Sequence, residues 1–298
     1  MDVIKGLFSF RFFTVFLNGV LLHVLLNNKL KARFFYVTYF FIVIIVLKDM
    51  LGGLSMNEIL ASGSRNVITM ILLLNLVLIH FVEFANKKRF SVLPALLLLI
   101  ISIWMMGRSG IAVSSFYFVF IVYLRLSIFS TFQKYLIALA IFMILGVCVY
   151  LFRYEIEALY NVFFEGFYRK GTSYSEDPRG EMFSQYLSNM NFLTVLTGYD
   201  YTIDAFFQRY NNNPHNSFIR FHSHLGLFSL LFVCFLLYRM RAVFIENKWL
   251  FAAITVIAFR AWTDVLLFVG FYDFIFLVLF LCGIKLFQQR NRVLVGEI

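Results

Sequence analysis

The chain has 298 residues, of which 61% are hydrophobic and 14% charged, with 40 Phe and a formal net charge of +10. A soluble domain of this length needs roughly a quarter charged residues to cover its surface, so composition excludes one. The positive balance does not point to nucleic acid either, because Lys and Arg sit at the ends of apolar runs about 15 to 20 residues long, where membrane topology places them.

Nine apolar segments follow in chain order: Leu7–Leu26, Phe34–Leu47, Val67–Phe84, Val92–Met106, Ile111–Leu126, Tyr135–Phe152, Phe218–Tyr238, Leu250–Phe268 and Phe271–Phe287. Arg11, Asn18 and His23 interrupt the first, and the second is short unless Met50 to Leu54 extend it. No repeat and no Pro- or Gly-rich linker divides residues 1–298, so one integral membrane domain is expected. The predicted fold class is all-α, a polytopic transmembrane helix bundle of about nine spans. No cleavable signal peptide is expected, since the first run continues into Asn27, Asn28 and Lys29. Cys148, Cys234 and Cys282 each lie in an apolar run and read as small apolar fillers.

The clusters Lys29/Lys31/Arg33, Lys87/Lys88/Arg89, Arg125/Lys134, Arg239/Arg241/Lys248 and Lys285/Arg290/Arg292 alternate with less basic connections. Nine spans place all five on the cytoplasmic side. The one long connection, 153–214, then lies outside and is predicted to contain short helices. Within it, apolar residues from Ala158 to Phe167 recur at helical spacing and fit an amphipathic surface helix. Gly171–Glu181 reads as a polar turn region with Pro178 and Gly180 as breakers.

Four constellations fall on the outer side. Gly107-Arg108-Ser109-Gly110 sets an Arg between glycines at a membrane boundary, where its planar fork suits phosphate. The bland alternative is an Arg snorkelling to lipid headgroups. Arg179, in Asp177-Pro178-Arg179-Gly180-Glu181, is a second candidate, against a solvated loop charge. In Gly198-Tyr199-Asp200-Tyr201 with Asp204, the bland reading is a turn and a helix cap at Asp200. The sharpest is the run from Pro214-His215-Asn216-Ser217 through Arg220, His222 and His224 to Gly226, holding three of the five His. Asn216 or Ser217 could cap the following helix. His215 and His222, two helical turns apart, share a face if that helix starts early. No HxxxH or HExxH spacing occurs, so no metal is expected. Arg260 and Asp264 are four apart and could simply pair on one helix.

The order of these motifs resembles the O-antigen polymerase and ligase superfamily of Wzy- and WaaL-like membrane glycosyltransferases. In that family an RSG-like motif opens a span, a large periplasmic loop carries another Arg and a glycine turn, and a Pro-His-Asn motif enters the next helix. Arg108-Ser109-Gly110, Arg179, Gly198, Pro214-His215-Asn216 and Gly226 match. Ser229 and Asp200 depart from the usual residues, and the chain is short at its N-terminus against a family with ten or more spans. The resemblance covers about Met105 to Ser229. It implies an inner-membrane enzyme with a periplasmic site that acts on sugar repeat units carried on undecaprenyl diphosphate, with a chain-length regulator and a flippase as protein partners and no cofactor. His215 is then the catalytic base or an orienter of the acceptor hydroxyl. Arg108, Arg179 and Arg220 clamp the diphosphate, and Asn216, Asp200 and Gly226 support the site. Glu181 and Asp204 are reserve carboxylates. A polymerase is favoured by the short C-terminal tail and by the abundance of Phe, Ile, Lys and Asn, which suggests AT-rich coding typical of polysaccharide clusters. The same residues serve a ligase that moves finished glycan to lipid A core. A lipid-linked-sugar transporter would line a central path with polar residues, and this chain places few inside its spans.

Overall fold

A computed structural model describes residues 16–21, 23–25, 31–52, 65–86, 88–105, 107–127, 129–130, 132–133, 136, 143, 154, 157, 178–268 and 272–282. Apart from isolated positions, the sixth apolar segment and the amphipathic stretch 158–167 lie outside these, as do Asp177 and the last residues of the ninth segment.

Among the described residues the protein is all-helical. The long elements are α1 (Ala32–Leu51), α2 (Arg65–Ala85), α3 (Val92–Trp104), α4 (Arg108–Leu126), α9 (Leu227–Glu246) and α10 (Lys248–Thr263). Between α4 and α9 come α5 (Pro178–Ser188), α6 (Phe192–Thr197), a 3-10 turn (Tyr201–Ile203), α7 (Ala205–Gln208) and α8 (Ser217–Leu225). A shorter apolar helix, α11 (Asp273–Cys282), follows α10. Among the described residues four helices, α1, α2, α4 and α9, are long and apolar enough to cross a membrane.

The amphipathy of these helices separates centre from rim. The apolar stretch of α2 is 83% buried, those of α1 and α9 only 17%. A helix apolar on all sides must be wrapped by protein or lipid. Leu72, Leu74, Leu76 and Ile79 of α2 are wrapped by protein. On α1, Phe34, Val37, Phe41 and Ile44 stay exposed, a stripe of helical period that lipid would cover.

α2, α3, α4 and α10 pack as an up-and-down bundle with α1 on its flank. At one end a polar network closes it. Glu83, 4% exposed, accepts hydrogen bonds from Tyr36 Oη at 2.7 Å, Ser91 Oγ at 2.6 Å and Ser91 N at 3.0 Å. A buried carboxylate is tolerable only with such partners. The amide of Ser91 sits at the start of α3, where the helix dipole adds to its attraction for the carboxylate. Beside it His80 Nε2–H donates to Ser91 O at 3.0 Å, which leaves Nδ1 to accept from Tyr117 Oη at 2.9 Å. Trp249 Nε1 donates to the same Tyr117 oxygen at 3.3 Å. Lys31, Arg33, Lys88, Arg89, Arg125 and Lys248 belong to helix ends or turns on this side.

The seventh apolar segment departs from expectation. It is not one helix over 218–238: Gly226, at φ 51° and ψ −132°, breaks it into α8 and α9. Phe218, Ile219, Phe221 and Leu225 before the break and Leu227 and Phe228 after it read as one segment in sequence. Gly180 is also no breaker. It lies in the first turn of α5, which Pro178 opens where its missing N–H costs nothing.

Candidate functional site

The site forms at the end of the bundle opposite Glu83, where α2 and α4 begin and α10 ends. Gly107 is the N-cap of α4, and a Cβ there would strike Asn66 Oδ1 of α2. One turn on, a Cβ on Gly110 would meet Thr69 Oγ1 at 3.0 Å. Both glycines therefore serve close packing of α4 on α2, which brings Ser109 inward.

There it meets Arg260, a residue the sequence reading set aside. Arg260 is 1% exposed. Its Nη1 donates to Ser109 Oγ at 2.5 Å and Thr263 Oγ1 at 3.3 Å, and Nη2 donates to Asn66 O at 3.1 Å. Asp264 Oδ2 lies 3.6 Å from Nη2. This is more than a local pair on one helix: α10 ends at Thr263, and Asp264 is already extended. Asp264 turns its other oxygen, Oδ1, toward His215 Nδ1 at 3.9 Å, beyond hydrogen-bonding length but within ion-pair range once the ring is protonated. Arg179 is half-buried on the first turn of α5.

His215 is held outside any helix. Its φ is +45°, a region a side chain-bearing residue seldom adopts, and its amide donates to Asn213 Oδ1 at 2.9 Å. The expectation that it shares a helix face with His222 therefore fails, because α8 starts only at Ser217. Asn216 is the cap, accepting from Phe218 N at 2.8 Å and Ile219 N at 3.2 Å. Ser217 ties the motif to the end of α10. Its Oγ donates to Asp264 O at 2.9 Å and accepts from Leu266 N at 2.7 Å and Leu267 N at 3.0 Å. The Pro-His-Asn-Ser run thus fixes the backbone of Asp264 and places His215 beside it.

His222 is spent on structure. Its Nε2–H donates to Val195 O at 3.2 Å, so Nδ1 accepts from Tyr186 Oη at 2.8 Å, stapling α5, α6 and α8. Burial pushes the Tyr186 hydroxyl well above its ordinary range, which keeps it a donor. Tyr186 also joins Met182, Tyr201, Phe207 and Ile219 in a small separate core beneath α5 to α8. Asp200 caps the 3-10 turn through Thr202 N at 3.0 Å, and Asp204 caps α7 through Phe206 N at 2.8 Å. Neither faces the Arg260 cluster as a described contact. Arg108 begins α4 and is half-buried at the same end of the bundle. Arg220, on α8, is half-buried, its amide donates to Asn216 O at 3.3 Å, and its guanidinium has no described hydrogen bond or ion pair. Glu181 lies in the first turn of α5, exposed.

Next to the small core, an apolar groove of about 760 Å³ runs from Tyr186 and Met190 between α9 and α10, past Val233, Ile254 and Trp262. Among the described residues no group of three or more His, Cys, Asp or Glu side chains gathers in a metal-binding arrangement.

Compared with known proteins, the chain matches no family model, no curated protein and no solved structure.

Proposed function

We propose that the protein is a membrane glycosyltransferase that polymerises oligosaccharide repeat units carried on undecaprenyl diphosphate, with its site on the periplasmic side of the inner membrane. The observation that carries this reading is the buried Arg260 guanidinium against Asp264, whose other oxygen approaches His215. Burial is costly for the Arg260 guanidinium, and an anion beside it would offset that cost. The neighbouring apolar groove has the character an isoprenoid carrier needs.

In this reaction the bond between the donor's anomeric carbon and the diphosphate oxygen breaks, and its electrons stay on that oxygen. Arg179 and Arg260 neutralise the charge that develops there, with Arg108 at the same end. The acceptor hydroxyl forms the new bond to the anomeric carbon and gives its proton to Nε2 of His215. Asp264, facing Nδ1, orients the ring and offsets the imidazolium charge. Arg220 is the further candidate for the diphosphate. A chain-length regulator and a flippase are the expected partners in the membrane.

The test supplies purified protein in nanodiscs with lipid-linked repeat units alone. A ladder of products spaced by one repeat supports the polymerase. No product until lipid A core is added, followed by a single whole-chain transfer, replaces it with a ligase.

A further inference from the structure

The short helix α6 turns its apolar side away from the protein. Phe192 is 83% exposed, Leu193 65% and Leu196 38%, and the three lie on one helical face. Nothing among the described residues covers them. The helix cannot rotate to hide them. Val195 O is held by His222 Nε2, and the Leu196–Thr197 backbone sits where a Cβ on Gly226 would be.

Its polar ends are closed internally. Asn191 Oδ1 accepts from Thr194 N at 2.9 Å while Thr194 Oγ1 accepts from Asn191 N at 2.7 Å, a complete capping box. Thr197 Oγ1 donates to Leu193 O at 3.0 Å, and Gly198 N donates to Thr194 O at 2.9 Å. These bonds satisfy part of the helix's end groups, which eases its placement where water is scarce. The contact at Gly226 also places α6 directly against the start of α9, whose exposed Leu227, Phe228 and Leu231 continue the same apolar surface down a helix long enough to cross a membrane.

We propose that α6 is embedded in the outer leaflet of the bilayer, with Phe192, Leu193 and Leu196 among the lipid chains. The occupant is lipid because the patch is continuous with the exposed flank of α9, and only a bilayer covers both. Val195, about a quarter turn round the helix from the centre of that face, lines the apolar groove. The inference rests on α9 being a span and not on the chemistry proposed for the site.

The experiment places nitroxide labels on single cysteines at Phe192, Leu193, Leu231 and Thr202, in the full chain with Cys148, Cys234 and Cys282 replaced by Ser, in nanodiscs. Collision with oxygen is compared with collision with a water-soluble nickel chelate. Phe192→Cys and Leu193→Cys should favour oxygen several-fold, at a depth between Leu231→Cys and the headgroups, and Thr202→Cys should favour nickel. Nickel access at 192 and 193 equal to that at 202 overturns the proposal. So does nickel access at 231, which removes the span itself. Labels shielded from both reagents and dipolar-coupled between two copies assign the patch to a protein interface, and also overturn it.

Discussion

Gly198 and Gly226 each occupy space against the other's neighbours. A Cβ on Gly198 would lie 2.6 Å from His222 O and 2.5 Å from Ser223 O, while one on Gly226 would strike Leu196 O. Both have positive φ, 89° and 51°. Gly198→Ala and Gly226→Ala should each cost at least about 3 kcal/mol, from the backbone conformation and the clash together. Gly180→Ala has open space and a helical position, and should stabilise by about 0.5–1 kcal/mol. Thermal unfolding in detergent measures all three, and a melting point lowered by Gly180→Ala would restore Gly180 as a breaker.

Arg260→Ala should lower stability by about 3 kcal/mol, since it removes charge-assisted bonds to Ser109 and Asn66. Arg260→Lys should keep more of the fold yet lose polymer synthesis by about a hundredfold, because an ammonium cannot span both partners and the anion. Unfolding curves and the repeat-unit ladder, read on the same preparations, separate the two effects. A Lys variant with full activity would remove Arg260 from anion binding.

His215→Ala should reduce the rate by about 10² to 10⁴ with the protein still folded. Asp264→Asn should reduce it less, by about tenfold to a hundredfold, since the ring loses an orienting charge and not the base itself. Arg179→Ala should match His215→Ala in severity. If Asp264→Asn is as active as the parent at every pH, the 3.9 Å approach of its carboxylate to His215 has no catalytic consequence.

Asp204 provides a pH test outside the membrane. Hydrogen bonds from Gln185 Nε2, from Phe206 N and from Asn189 Nδ2 hold its carboxyl below the ordinary value of 3.8. A depressed carboxylate contributes stability that is fully present above the unfolded-state pKa and is lost as pH falls through the folded value. Hydrogen exchange in residues 185–210 should therefore quicken as pH is lowered below about 4, after correction for intrinsic rates. In Asp204→Asn the same segment should exchange faster at neutral pH and show no such step. A step that persists in Asp204→Asn belongs to another group.

Much of the helical skeleton was legible in the sequence, because apolar runs and lipid-length helices share one cause. α1, α2, α3, α4 and α10 begin within three residues of their apolar segments. Asn216 was legible as a cap and Asp200 as a bland turn residue, since both signals are local. The break at Gly226 was not, because a lone Gly inside a run with apolar residues on both sides is no helix stop by itself, and its φ and its contact with Leu196 come from the fold. Arg260 was read as a partner of Asp264 four residues away. Its binding to Ser109, 151 residues back, depends on how α10 lies on α4, and no spacing encodes that. His222 carried the same signal as His215, and only the position of Tyr186 and Val195 separates a staple from a candidate base.

α10 grips α4 at both ends, Trp249 on Tyr117 and Arg260 on Ser109. During synthesis α4 leaves the ribosome long before either partner exists, and its hydroxyls wait for them. Insertion of α10 is therefore the step that completes the Arg260 end and the Glu83 end together. A nascent chain that stops short of it has the earlier apolar helices in place but lacks Arg260 beside Ser109, so that end of the bundle is completed late in biogenesis and all at once.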